Sequence, residues 1–371
     1  MSRTILYAQP CDDQNCRYRY NGIRRSAALH GWNAEVIPYD TDKVQWAGLI
    51  AFWNAAGIIV DCGNTNRYPR RTAFGNTPVV FVDRDPRTLC PCDAGVNSDG
   101  AAIAETAVRE LTRRQCAAYA FADPPRDFYW SLERQERFRA CFALNGIRTR
   151  RLRAVPWPTR NPGDMHALAE RLNRLPRPLG VFAACDTVAA SVLEAASLLG
   201  WRCPGDIFVI STDNDIDVCT RARTPITSIE MNFERSGFIA GELLHDLLSG
   251  ARPGPDRLRR TFGINGIVRR TSCETVLSRD PRITLGTNYI LAHVAEAPSV
   301  VDVASAMGCS LRTAQSLFRQ ELGESIVACI RRHRLELMQQ LVRHNTSLTS
   351  DDLAKAVGYA NRSSLWKLKN K

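Results

Sequence analysis

The chain has no long apolar run. No stretch of its 371 residues approaches 18 consecutive apolar positions, so it offers no candidate for a membrane-spanning helix. The opening residues, MSRTILYAQPCDD, read as a short strand followed by polar residues, which is the pattern of neither a signal peptide nor a membrane anchor. Histidine is scarce, at 6 residues, and none clusters with a Cys or Ser nucleophile. The phosphate loops GxGxxG and GxxxxGK followed by Ser or Thr, and the GxSxG elbow, are absent from any strand-to-helix context. Catalysis has no visible apparatus. The chain is expected to be no enzyme and to need no cofactor.

Cysteine, by contrast, is plentiful, at 13 residues. The cysteines are odd in number, scattered, and often set in apolar stretches, as at Cys116, Cys141 and Cys329. Reduced thiols in a cytoplasm explain that better than disulfides. The closest pairs, Cys90 with Cys92 and Cys11 with Cys16, have no second pair at metal-site spacing, so no metal is expected. Apolar residues make up 44% and charged residues 23% of the chain, ordinary globular usage for two or three compact domains. Of the net charge of +11, residues 281–371 carry 12 Lys and Arg against 7 Asp and Glu, or +5, leaving +6 for the other 280. Positive charge is therefore densest in the C-terminal quarter, as neutralising phosphates requires.

That quarter reads as two helix-turn-helix units. In the first, an apolar helix with Val301, Val303, Ala304 and Met307 stops at Gly308, and Ser310 caps a second helix, 311–320, that shows Arg312, Thr313, Gln315, Ser316 and Arg319. In the second, Leu353, Ala354, Ala356 and Val357 lie on a short helix ended by Gly358, and Asn361 opens a last helix with Arg362, Ser363, Ser364, Lys367 and Lys369. Between them, 325–343 lacks Pro and Gly and puts Ile326, Ile330, Leu337 and Leu341 at helical spacing. A helix of that length spans roughly 28 Å, close to the roughly 34 Å between successive major-groove faces. Both recognition helices could then dock on one side of a duplex. The plainer reading is a helical bundle whose basic residues form a solvated face, and the repeat of the pattern argues against it.

The run DVASAMGCSLRTAQSLFRQELGESIVACIRRHRLELMQQLV, followed by LTSDDLAKAVGYANRSSLWKLKNK, resembles the DNA-binding domain of the AraC family of bacterial transcription factors. Members usually continue with an aromatic residue near the end of the last helix and a Gly, Pro and Tyr-Arg tail. This sequence has Lys369 at that aromatic position and ends at Lys371, so the domain is expected to be truncated and its second unit less well supported than the first.

The first 280 residues alternate apolar strands with amphipathic helices. Strands are predicted at 4–8, 34–37, 57–60, 79–82, 117–122, 179–184 and 207–211, and helices near 18–30, 98–113, 130–145, 165–175 and 187–199. Such alternation gives parallel sheets covered by helices, and the length is about twice that of one such sheet, which predicts two lobes. The segments GVFAACDTVAASVLEAASLLGWRCPGDIFVISTDND, TPITSIEMNFERSGFIAGELLHDLLSG and IVRRTS are similar to the sugar-binding core of the lactose-repressor and ribose-binding-protein superfamily, in which two lobes close over a small ligand. The expected fold class is thus α/β: a two-lobed, periplasmic-binding-protein-like sensor of doubly wound parallel sheets, then an all-α domain with two helix-turn-helix motifs. The expected domains are a sensor over 1–275, a linker over 276–284 and a DNA-binding domain over 285–371. The combination, together with WSLERQERF and the pair Asp213 and Asn214, resembles AraC-family regulators of xylose-type pentose operons.

A sugar needs converging polar groups and an aromatic plane, and parallel sheets bind ligands at the carboxyl ends of their strands. Asp12 or Asp13, Asp186 and Asp213 meet that condition. The resemblance puts Asp213 and Arg134 where the family hydrogen-bonds its sugar, and puts Cys185 in place of the family's usual Asn. Each has a competitor. Asp186 could simply cap its helix, Asp213 with Asp215 and Asp217 could hold a cation, Arg134 could form a surface ion pair, and Trp130 could be a stacking plane or core. Arg312, Gln315 and Arg319 are expected to read base edges, and Arg331, Arg332, Arg334 and Lys367 to hold phosphates. The expected partners are double-stranded DNA, a sugar for which D-xylose is the resemblance's suggestion, a second copy of the chain, and RNA polymerase. Ligand-driven lobe closure would reach the DNA modules through 271–282.

Overall fold

The computed structural model describes residues 3–40, 44–90, 93–250, 258–273, 280–344 and 349–359. The first lobe is built on β1 (Thr4–Gln9), α1 (Gln14–Leu29), β2 (Asn33–Pro38), α2 (Trp46–Trp53), β3 (Ala55–Asp61), β4 (Val79–Val82) and β5 (Ala94–Ser98). The chain then crosses to α3 (Gly100–Thr112), β6 (Ala118–Asp123), α4 (Tyr129–Ala143), β7 (Arg150–Arg153), α5 (Pro162–Asn173), β8 (Leu179–Ala183), α6 (Asp186–Leu198), β9 (Ile207–Thr212), α7 (Ile216–Arg221) and β10 (Thr227–Met231). It returns through α8 (Phe233–Leu248) and β11 (Arg259–Phe262), and crosses once more into β12 (Ile264–Val268).

The result is two six-stranded sheets, ordered β11-β5-β4-β3-β1-β2 and β12-β10-β9-β8-β6-β7. All pairings are parallel except β10 with β12. Parallel strands are covered on both faces and so read as unbroken apolar runs. Ile58, Ile59 and Val60 of β3, all fully buried, show why such runs stand out in the sequence. Five strands, β5, β7, β10, β11 and β12, were not predicted; among them Arg150–Arg153 is an edge strand rich in arginine, and Ala94–Ser98 is short and polar at its end.

Three crossings, near 98–100, 231–233 and 262–264, join the lobes. They are hydrogen-bonded to one another, Asp99 N to Phe262 O at 2.9 Å and Asn232 N to Gly263 O at 3.1 Å, which makes a hinge of short paired segments. In the first lobe α1 lies directly on α8. A Cβ at Gly22 or Gly237 would stand 1.9 Å from the facing carbonyl oxygen of Glu234 or Arg19, so only glycine permits this approach, and the approach sets where α1 presents Arg19.

The C-terminal part is helical: α9 (Pro281–His293), α10 (Val300–Ala306), α11 (Leu311–Leu322), α12 (Ile326–His344) and α13 (Ser350–Ala356). The long connecting helix predicted at 325–343 is α12, shifted by one residue. Ile283, Ile290, Val303, Met307, Phe318 and Ile330 share one core, and Met338, Leu353, Ala354 and Val357 form a second. Val301, expected on the apolar face, is instead exposed. Helix α9 also rests against α7 of the second lobe. None of the described cysteines is in a disulfide, and no described helix is long and apolar enough to cross a membrane.

Candidate ligand cleft and DNA-binding surface

Between the lobes lies a cavity lined by Asp13, Asn15, Cys16, Arg19, Asp61, Gly63, Asn64 and Asp83 from the first lobe and Trp130, Arg134 and Asp213 from the second, with Phe233 at the hinge. The lobes touch across it. Trp130 donates its indole N–H to Gly63 O at 2.7 Å, and Gln14 spans to Asn214 O at 3.1 Å. The free space is about 60 Å³, far below the roughly 300 Å³ at which small-molecule pockets begin, so this is a closed arrangement that must open or repack to admit a ligand. A roomier groove of about 450 Å³ runs beside Arg25, Arg235 and Phe238. It is open to solvent, and Arg25 there is already paired with Glu234 at 2.6 Å.

The second lobe supplies the Asp213–Arg134–Trp130 cluster. After β9 the backbone turns through left-handed conformations at Asp213 and Asn214, φ 107° and 56°, which is strained for non-glycine residues. The turn is held by Asn214, whose N–H donates to Ser228 Oγ and whose amide binds Glu230 and Arg270, at 3.0, 3.0 and 2.8 Å. It aims Asp213 into the cleft, 3.8 Å from Arg134. Burial pushes the Asp213 carboxyl up to about 7 even though the neighbouring Arg134 works to lower it. Arg134, 4% exposed, donates to Ala184 O at 2.6 Å and lies over the Trp130 ring, 4.8 Å from its centroid. Its Nε has no partner among the described residues, and neither has Asn15 Oδ1 on the opposite wall. Buried polar groups are normally satisfied, so these two mark where a polar ligand would complete the bonding.

The first lobe supplies a buried ion network. Arg19 is bonded to Asp61, to Asp83 at 2.6 Å and to Ser236 at 3.1 Å, and Tyr7 donates to Asp61 at 2.8 Å. Burial works against the charged guanidinium, yet Asp61 and Asp83 hold its pKa well above the ordinary value. Asp13 caps α1 through Cys16 N at 2.8 Å. Its other carboxylate oxygen accepts from Cys11 Sγ at 3.2 Å and Asn64 Nδ2 at 3.4 Å.

Four of the six sequence-expected ligand residues, Asp13, Trp130, Arg134 and Asp213, thus line one cavity. The other two do not. Asp12 is exposed and pairs with Arg17. Asp186 is the first residue of α6 and fully enclosed, its carboxylate accepting from Ser211, from Ser228 at 2.7 Å and from Asp215 N at 2.7 Å. It therefore braces the strand ends beneath the Asp213 turn, and α6 is not capped by its side chain. Sequence reading missed Asn15, Arg19, Asp61, Asn64 and Asp83. The strand-end rule, carried on to β3 and β4, would have found Asp61 and Asp83, whereas nothing local marks Arg19 in the middle of a helix.

In the helical part, the turn after α10 passes through Gly308 at φ 63°, and Ser310 caps α11 by accepting from Thr313 N at 3.2 Å. Ala314 and Phe318 bury one face of α11. Arg312, Gln315, Ser316 and Arg319 are exposed on the other, with Thr313 partly so, a spacing that puts them on one surface. Of the residues expected on phosphates, Arg332 pairs with Glu324 at 2.9 Å, and Arg334 reaches Val294 O and lies over the Tyr359 ring. Asn361, Arg362, Ser364 and Lys367 lie outside the described residues.

Two family models match the sequence, a periplasmic binding protein-like domain over residues 103–273 and a helix-turn-helix domain over residues 303–368. The xylose operon regulatory protein of Escherichia coli strain K12 is 25% identical over 314 residues, covering 83% of this chain and 79% of that protein. The chain is a transcription regulator with a periplasmic-binding-protein-like sensor and a helix-turn-helix domain, and it is similar to the xylose operon regulators. The regulator is also 28% identical over 134 residues, 36% of its length and 39% of the relative's, to the helix-turn-helix-type transcriptional regulator CelR of Thermobifida fusca. Among solved structures, that of a xylose-binding transcription activator superposes with a TM-score of 0.65 at 22% identity over 99% of this chain and 94% of that one. A CelR–cellobiose complex gives 0.58 at 18% identity over 73% and 85%. These likenesses fit the observed fold, two sheets of the binding-protein type joined by a hinge and followed by helix-turn-helix modules.

Proposed function

We propose that the regulator senses a monosaccharide of the pentose class, D-xylose being the first candidate, and activates a pentose-utilisation operon from the cytoplasm as a homodimer that engages RNA polymerase. The observation that carries the ligand reading is the pair of orphaned buried atoms, Arg134 Nε and Asn15 Oδ1, facing one cavity with Asp213, Asp13 and Asn64. A polyhydroxylated ring would satisfy carboxylates, amides and a guanidinium at once, and Trp130 offers an apolar plane.

Ligand held by Asp213 and Arg134 on one lobe and Asp13 and Asn15 on the other favours the closed lobes by as much as its affinity for them exceeds that for the open ones. Helix α7 starts just past the Asp213 turn and touches α9, so a shift of that turn reaches the DNA-binding domain directly. This route complements the connector over 271–282, of which 274–279 lie outside the described residues. On DNA, Arg312, Gln315 and Arg319 read base edges while Ser310, Thr313 and Ser316 contact the backbone and flanking edges. From the second unit, Asn361, Arg362, Ser364 and Lys367 take the same roles by sequence pattern. The test is a thermal-shift screen of pentoses and hexoses. A true inducer at 100 times its Kd adds about 2.7 kcal/mol of stability, and a flat response to all of them, with no preference for the operon's own promoter over random DNA, sinks the reading.

A further inference from the structure

At the rim of the cleft, Cys11, Asp13 and Cys16 bring two sulfurs and a carboxylate oxygen within 4.8 Å of one another. The sulfurs are 3.9 Å apart. A tetrahedral zinc ion, with bonds of about 2.3 Å to sulfur, sets two thiolates roughly 3.8 Å apart, whereas a disulfide needs about 2.05 Å and a closure of nearly 2 Å. The resting geometry thus matches a shared ion far better than a bond between the sulfurs.

The surroundings agree. Cys16 is 3% exposed and Cys11 more open, so the site has an inner wall and an entrance. Asn64 donates to Cys11 Sγ at 2.8 Å and to Asp13 at 3.4 Å, the kind of outer partner that orients metal ligands. Asp61 Oδ2 stands 3.7 Å from Cys16 Sγ but is held by Arg19 and Tyr7. That leaves three protein ligands and a fourth position for water, unlike the closed four-ligand arrangement of purely structural zinc sites.

We propose that Cys11, Asp13 and Cys16 form a site for a thiophilic divalent cation of the zinc class, which shares Asp13 with the ligand cavity. Binding releases the two thiol protons to solvent, and the ion is held by two thiolates and a carboxylate. Because Asp13 lines the cavity, ion and cleft ligand oppose each other. Spacing along the sequence hid the site because its third ligand is the helix cap between the two cysteines.

The experiment uses the full chain, stripped of metal and kept reduced with a phosphine. Zinc is titrated against a chromogenic chelator, and Co(II) serves as a spectroscopic probe. The expected result is one equivalent per chain, with a sulfur-to-cobalt charge-transfer band. Cys11→Ser and Cys16→Ser should each weaken binding by more than about 100-fold, beyond the roughly 10- to 100-fold cost of losing an outer partner, while Cys90→Ser leaves it unchanged. If Cys16→Ser melts early, Cys11→Ser at the open end decides. No stoichiometric uptake, or uptake retained by the double Cys→Ser variant, overturns the proposal. So does a reduced chain that ignores zinc but closes Cys11 to Cys16 with mild oxidant. The opposition rests on the cleft being the ligand site. An inducer found in the screen should lower zinc affinity in the native chain but not in Asp213→Asn, and unchanged affinity in the native chain removes the shared role of Asp13. Zinc titration alone needs no inducer, so failure of the sugar reading is seen separately.

Discussion

The cleft and the exposed face of α11 are both polar, yet they are built by opposite rules. In the cleft, charges are enclosed and matched, as with Arg19 between Asp61 and Asp83, and the few unmatched atoms, Arg134 Nε and Asn15 Oδ1, are conspicuous. On α11, Arg312, Gln315 and Arg319 stand in water, and a missing partner there says little because solvent supplies one. The difference teaches where an orphaned polar group carries information: only where water has been removed. It also fixes the scale of substitution effects, large and structural in the cleft, small and confined to recognition on the helix.

The contrast is tested most severely by Arg19→Met, which leaves Asp61 and Asp83 enclosed without their cation. A loss of about 3–5 kcal/mol in denaturant unfolding is expected, and a loss under about 1 kcal/mol would mean the network is better hydrated than its burial implies. Arg134→Ala should leave the fold in place but reduce inducer affinity by about 1.5–3 kcal/mol, the worth of a hydrogen bond to a charged group, as read by calorimetry. On α11, Arg312→Ala should cost about 1–3 kcal/mol at one operator position and relax specificity there. An unchanged footprint and base preference would remove Arg312 from the reading set. Ser310→Ala, which removes the α11 cap, should cost about 1 kcal/mol of stability.

Asp213 ties the comparison to pH. Its carboxyl moves from 3.8 to about 7 on folding, chiefly through burial, so the folded chain prefers the neutral acid. Stability from this group is fullest below about pH 4 and falls as pH rises toward 7, where the native carboxyl ionises, and then levels off. Asp213→Asn should flatten that limb of the stability profile, gaining on the native chain at pH 8 more than at pH 4. An unaltered profile would show that the carboxyl is already ionised near pH 5.

Much of this was legible in the sequence because parallel strands buried on both faces leave apolar runs, and because helix caps and turn glycines act locally. The runs at β3, β4 and β9 and the caps at Ser310 and Gly308 are of this kind. Asp13 and Asp213 followed from their places at strand ends, Arg134 from the family resemblance, and Trp130 from the aromatic plane that a sugar needs. The edge strand β7 was not legible because arginines hide its pattern, and β12 and the returning helix α8 were not because their placement depends on the crossings between lobes.

By itself, then, the sequence determined the element types, the two-lobed sensor and the helix-turn-helix reader, since periodicity, caps and strand-end residues express local chemistry. Tertiary structure alone decided that Asp186 braces the Asp213 turn rather than facing ligand. It also placed Arg19 between Asp61 and Asp83, set Asn15 opposite Arg134, and gathered Cys11, Asp13 and Cys16 at one rim. Each of these depends on removing water from groups far apart in the chain, and that happens only when the lobes and helices pack.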